Sequence, residues 1–172
     1  MKVILETPRL VLRELTPADV DFVASLVQDD ETMRFYPQRY TRADAIAWIQ
    51  RNLERYDRDG HGLWLVQAKD TSQPVGQVGL VRFLVEGVPM SEIGYLIHRS
   101  FWRQGYATEA ALGVRDHAFH VRNEPFVMAQ IRPINTPSQG VARKLGMRPG
   151  KLFLNAGLEH VLWRVDRNQV NA

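Results

Sequence analysis

Cysteine is absent from the sequence. Its absence removes disulfides, thiolate metal ligands and a cysteine nucleophile together, and it is compatible with a reducing cytoplasm, where the protein is expected to reside. No apolar run approaches the about 20 residues that a membrane span requires. The amino terminus, Met1-Lys2-Val3-Ile4-Leu5-Glu6, reaches charge and then Pro8 before any stretch long enough for a signal peptide. A soluble protein with no membrane partner is therefore expected. The chain also lacks a lysine or arginine block and any recognised nucleic-acid motif, which argues against a nucleic-acid partner. Histidine, aspartate and glutamate nowhere take metal-ligand spacing, so no metal is expected. Repeats, linkers and low-complexity segments are missing too.

What remains has a globular composition: 45% hydrophobic and 24% charged residues, far from the disordered extreme. A length of 172 residues is enough for one core and short for two, so residues 1–172 are expected to form a single domain. The net charge of +3 arises from 22 basic against 19 acidic side chains spread along the chain. A polyanionic small molecule would suit that excess as well as nucleic acid does, so the sign alone decides nothing.

Periodicity divides the chain into elements. Leu10 and Leu12 alternate with Arg9, Val11 and Arg13 as a first strand, and Thr16-Pro17 then offers a helix start. Val20, Val23, Ala24 and Val27 fall on one helical stripe. Thr41 and Asp44 form a capping-box pattern before Ile46, Ile49, Leu53 and Tyr56, with a stop at Asp59-Gly60. Leu63–Ala68 and Val75–Val85 read as an antiparallel hairpin. After a break at Glu86-Gly87-Val88-Pro89 comes a strand over Glu92–His98. A helix with Ala107, Ala110, Ala111, Val114 and Ala118 at helical spacing follows between Gly105 and His120, and then a strand over Phe126–Ile131. A strand–helix–strand crossover joins parallel strands, so the sheet should be mixed. A short helix over Ser138–Leu145 stops at Gly146, and a strand alternating Val161, Trp163 and Val165 with His160, Arg164 and Asp166 closes the chain.

The stretch richest in chemistry is the basic turn His98–Gln104 leading through Gly105 into a small-residue helix. Unpaired N–H groups at the positive end of a helix form an anion site that needs no particular side chain, and glycine lets a phosphate approach. The same glycine equally serves a tight turn alone. Trp48, Trp64, Trp102 and Trp163 are read as core or pocket walls. Glu92 is a candidate general base or an ordinary strand carboxylate, and His160 and His98 are weaker candidates for that base.

The words Thr7-Pro8-Arg9-Leu10-Val11-Leu12-Arg13, Glu92-Ile93-Gly94-Tyr95, Trp102-Arg103-Gln104-Gly105-Tyr106-Ala107-Thr108-Glu109-Ala110, Asn135-Thr136-Pro137-Ser138 and Lys144-Leu145-Gly146-Met147 occur in this order. Together they resemble the GNAT acetyltransferases, in particular the RimJ/RimL branch that includes ribosomal-protein N-terminal acetyltransferases. The resemblance implies an α/β (α+β) fold: a mixed, mostly antiparallel sheet flanked by helices, with a splayed parallel strand pair holding acetyl-CoA. It implies that the amides of Arg103, Gln104, Gly105, Tyr106, Ala107 and Thr108 cradle the pyrophosphate. Leu96 and Ile97 would bond the pantetheine arm, and Asn135 would contact the cofactor. The tyrosine that many GNAT enzymes use to protonate the departing thiolate is replaced by Ala142. Ser138 matches a serine given that role in RimL-like enzymes, and it reads equally as a helix N-cap. The activity implied is acetyl transfer from acetyl-CoA to a primary amine, on a protein N-terminus or a small molecule, by direct attack in a ternary complex. A catalytically silent acyl-CoA-binding module is the alternative, and homodimers are frequent in the superfamily.

Overall fold

The alternation around Leu10 is a strand in the computed structural model, which describes residues 2–170. It is the second strand of the sheet. Val3–Glu6 precedes it as β1 and pairs antiparallel with β2 (Leu10–Arg13). The sequence hides β1 because Val3-Ile4-Leu5 is a continuous apolar run without alternation. The remaining strands are β3 (Leu63–Ala68), β4 (Pro74–Val85), β5 (Val88–Ile97), β6 (Phe126–Ile131), β7 (Arg148–Asn155) and β8 (Leu158–Asp166). They form one eight-stranded sheet in the order β1-β2-β3-β4-β5-β6-β8-β7. Every neighbouring pair is antiparallel except β5 with β6.

Among the differences from the sequence reading, two concern whole segments of the sheet. The break before β5 is only Glu86-Gly87, both in the left-handed region at φ 49° and 81°, which is the backbone of a two-residue hairpin turn. Val88 and Pro89 already belong to β5, paired with Val85 and Leu84. The other difference is β7, an edge strand that no pattern announced. Its first residues, Arg148-Pro149-Gly150-Lys151, are exposed and polar or turn-forming, so nothing alternates.

Helix α1 (Val20–Gln28) follows a single 3-10 turn over Pro17–Asp19 and buries Val23, Ala24, Leu26 and Val27. Helix α2 (Arg42–Asp59) opens with the expected reciprocal cap: the Thr41 hydroxyl accepts the Asp44 N–H at 3.2 Å, and the Asp44 carboxylate accepts the Thr41 N–H at 2.7 Å. Gly60, left-handed at φ 72°, ends it. Its buried face runs through Ala45, Ile49 and Asn52, and Ile46, read as part of the stripe, is 56% exposed. Helices α3 (Tyr106–His120), α4 (Thr136–Lys144) and α5 (Arg167–Val170) complete the fold. None of the helices among the described residues is long and apolar enough to cross a membrane.

The pleat sorts side chains between two layers. Trp64 and Val66 pack with Ala110, Ala111, Val114 and Ala118 of α3, while Leu65 between them packs with Val23, Ala24, Val27 and Ile49 of α1 and α2. Alanines on α3 let that helix lie close against the sheet, which fixes where its amino-terminal end sits.

A buried ion pair ties β2 to the entry of α1. Arg13 donates to both Asp19 oxygens, at 2.6 and 2.9 Å, and to the Gln67 side chain at 2.8 Å. Asp19 also accepts the Thr16 N–H at 2.7 Å. Burial pushes the Asp19 carboxyl up, but these hydrogen bonds and the Arg13 charge outweigh it and hold the group below its ordinary value. Removing one partner of such a pair leaves the other charged and unpaired. Asp19→Asn should therefore destabilise the fold by about 3 kcal/mol in chemical denaturation at pH 7. Because the folded-state value is depressed, this contribution is present above pH ~4 and fades as pH falls further. The gap between wild type and variant should close in acid.

Candidate active site

Beyond Ile97 the chain makes a 3-10 turn over Arg99–Phe101 before entering α3. His98 caps that turn, its Nδ1 accepting the Ser100 N–H at 3.3 Å, so this histidine lies outside the strand and serves local structure. Arg103 and Gly105 are both left-handed, at φ 62° and 82°. Glycine adopts this at no steric cost, whereas for Arg103 it costs roughly 1–2 kcal/mol. Turns of this kind gather successive N–H groups into a concavity that receives anions. Among the described residues, nothing accepts the backbone N–H groups of Arg103 through Thr108. The first one taken is that of Glu109, bonded to the Gly105 carbonyl at 3.0 Å. The head of α3 thus presents a run of free donors at the positive end of the helix.

These donors open into a cleft of about 910 Å³ created by the parallel strands. β5 pairs with β4 along its whole length, but it meets β6 only at Glu92 opposite Met128. From Ile93 to Ile97 the β6-facing edge of β5 has no strand partner. Leu96 and Ile97 line the gap, and the Ile97 carbonyl accepts the Trp102 indole N–H at 2.7 Å, holding that ring beside the turn. Arg103, Gly105, Tyr106, Ala107, Thr108, Asn135, Ser138 and Glu92 line the same cleft. Gln104 does not; its carbonyl faces away and accepts Arg9 Nη1 at 2.9 Å.

A family model described as the acetyltransferase (GNAT) domain matches residues 9–148. The chain belongs to the GNAT acetyltransferase family. It is 36% identical over 152 residues to the protein YkkB of Bacillus subtilis (strain 168), covering 86% of each chain. An acetyltransferase from Agrobacterium tumefaciens str. C58 shares the fold with a TM-score of 0.83 and 26% identity, over 97% of this chain and 95% of that one. RimL, a ribosomal α-N-protein acetyltransferase solved in complex with coenzyme A, matches in fold with a TM-score of 0.79 at 16% identity, over 96% of this chain and 98% of that one.

In this GNAT chain α4 begins earlier than its sequence suggested. Thr136 is its first residue, and the cap is Asn135, whose side-chain oxygen accepts the Ser138 N–H at 3.2 Å. Ser138 is therefore not an N-cap. It sits in the first turn with its carbonyl accepting the Tyr95 hydroxyl at 2.7 Å, a bond that joins β5 to α4. Ala142 is fully buried in the core. Of the four tryptophans, Trp64 and Trp163 are core, Trp48 donates to Gln77 at 2.8 Å, and Trp102 is 37% exposed beside the turn.

The other half of the cleft surrounds Glu92. Gln130 Nε2 donates to its carboxylate at 3.0 Å, and Asn155 Nδ2 donates to Gln130 Oε1 at 3.0 Å. Tyr36 and Tyr40 form a wall, edge to face at 6.2 Å. Burial raises the Glu92 pKa first, partly opposed by the Gln130 bonds and the Arg55 charge. The Tyr95 phenol is pushed up as well, by burial and then by Glu92. Sequence reading missed Gln130, although a lone amide inside the apolar strand Phe126–Ile131 was a usable signal. Tyr36 and Tyr40 lie in a connection with no pattern. His160, which also lines the cleft, bonds the Leu158 carbonyl at 2.9 Å and packs on Phe153.

Since the fold favours the neutral form of Glu92, stability is lost as pH rises through its raised folded-state value, above the ordinary ~4.3. Glu92→Gln should melt with wild type near pH 4 and above it at pH 8 in calorimetry. A variant less stable than wild type at pH 8 would show that the carboxylate is a structural partner.

Proposed function

We propose that this chain transfers the acetyl group of acetyl-CoA to a primary amine, on a protein N-terminus or a small molecule, by direct attack in a ternary complex. The observation that carries the reading is the run of free N–H groups from Arg103 to Thr108 at the head of α3, opening into the cleft that holds Glu92. A polyanion fits the first feature and an ammonium the second. The residues present fit the cofactor: a positive-φ glycine with no side chain to fill the turn, and a strand edge left unpaired beside it.

In this reading the amides of Arg103, Gly105, Tyr106, Ala107 and Thr108 hold the pyrophosphate, whereas Gln104, which does not line the cleft, braces the turn through the bond of its carbonyl to Arg9; the β5 edge at Leu96 and Ile97 orients the pantetheine arm, with Asn135 at its side. Acetyl-CoA supplies an acyl carbon already activated as a thioester. An α-amino group has a pKa near 8 and a lysine amine near 10, so the acceptor must lose a proton to attack. Glu92 accepts that proton, directly or through a water. The amine nitrogen bonds to the acyl carbon as the carbon–sulfur bond breaks, the second proton on that nitrogen passes to the departing thiolate to give the free thiol, and the Ser138 hydroxyl donates a hydrogen bond to the sulfur as its charge develops. Positioned donors of this kind contribute about 10²–10³-fold in rate. The second reading, a silent acyl-CoA-binding module, is favoured by one observation: Ala142 places no hydroxyl where many GNAT enzymes have their acid.

Isotopically labelled acetyl-CoA incubated with a panel of peptides and small amines separates the two. Mass spectrometry should find the label on an amine, and binding without transfer to any acceptor would support the silent module. Ser138→Ala leaves the Asn135 cap intact, so its melting temperature should stay near wild type while turnover falls at least tenfold with CoA affinity kept. Turnover within twofold of wild type would leave protonation of the sulfur to water or to the substrate's own ammonium.

A further inference from the structure

The amino-terminal word that includes Thr7 and Arg9 meets the cofactor turn in space. Thr7 Oγ1 donates to Glu109 Oε1 at 2.6 Å, the Arg9 N–H donates to the same oxygen at 2.8 Å, and Arg9 Nε donates to Glu109 Oε2 at 2.6 Å. Arg9 Nη1 bonds the Gln104 carbonyl at 2.9 Å, its guanidinium lies 4.7 Å from the Tyr106 ring centre, and a Cβ on Gly105 would come within 3.3 Å of Nη2. One side chain therefore touches the residues before and after the glycine and bonds a carboxylate in the first turn of α3.

That carboxylate is a problem for an anion site. Glutamate in a first helical turn is attracted to the free N–H groups there, as in a capping box, and its charge opposes any anion at the same end. In this chain both Glu109 oxygens are held by Thr7 and Arg9, and the side chain is only 16% exposed. Burial raises the Glu109 pKa, but those hydrogen bonds and the Arg9 charge outweigh it and keep the group ionised. An isolated ion pair with a half-exposed arginine contributes little to stability, so stability is a poor account of four converging bonds on one turn.

We propose that Arg9, with Thr7, is a positioning residue of the cofactor turn: it sequesters and neutralises Glu109, so that the N–H groups from Arg103 to Thr108 stay free for the pyrophosphate. The proposal rests on the acetyl-CoA reading above. Its signature is that loss of Arg9 does harm only while Glu109 is charged.

Calorimetry with CoA on wild type, Arg9→Gln, Glu109→Gln and the double variant tests it, with melting temperatures recorded for each. Arg9→Gln should weaken CoA binding about tenfold, Glu109→Gln should bind as well as wild type or better, and the double variant should return to within threefold of Glu109→Gln. Thr7→Val, which keeps size and removes the bond to Glu109 together with the one the hydroxyl accepts from the Leu10 N–H, should weaken binding about threefold in a Glu109-dependent way, and it carries the test if Arg9→Gln does not fold. Equal loss in the single and double Arg9 variants would mean that Arg9 meets the ligand directly and would overturn the proposal. Unchanged affinity in both Arg9→Gln and Thr7→Val would overturn it as well. A wild-type protein that fails to bind CoA would instead overturn the acetyl-transfer reading.

Discussion

The parallel strands β5 and β6 touch at one register, Glu92 against Met128, and then part. Most of the candidate site depends on that separation. A ladder continued along both strands would pair the β5 edge from Ile93 to Ile97 and fill the space into which the head of α3 opens. Each strand is held by its other edge, β5 by its full antiparallel pairing with β4 and β6 by its pairing with β8, so the sheet remains continuous across the gap. The Tyr95 hydroxyl, bonded to the Ser138 carbonyl, bridges to α4 where the missing strand contacts would have been.

The same opening sets the electrostatics. One end carries backbone donors and a helix dipole, which need no ionisable group. The other carries Glu92 between aromatic walls, where desolvation works against its charge. Keeping a carboxylate in such a place costs stability, and sites where a fold accepts that cost are commonly functional. The two ends therefore differ in kind: one offers donors to an anion, and the other a carboxyl group poised to hold a proton.

Elements governed by local patterns were legible from the residues. The Thr41–Asp44 cap, the Gly60 stop, β3, β6 and the small-residue face of α3 each follow from spacing that survives in the fold. Elements made by neighbours were not. β7 exists because β8 offers it an edge, and its own residues show no face. Ser138 and Asn135 illustrate a narrower limit: both residue types cap helices, and only the backbone decides which does. Thr7, Arg9 and Glu109 stood within words that carried the family resemblance, yet their contact could not be read from positions so far apart in the chain.

That separation has a consequence for how the protein assembles. Arg9 and Glu109 are 100 residues apart in sequence, so the bond between them closes one of the longer loops in the chain, and such closures form late because their entropy must be met before their contacts help. During synthesis β1 and β2 emerge long before α3, and the Thr7–Arg9 segment has no partner for the interval. A molecule released before α3 has docked would have most of its central hairpins and no organised turn. On the proposed acetyl-CoA reading, cofactor binding is then a report on completed folding.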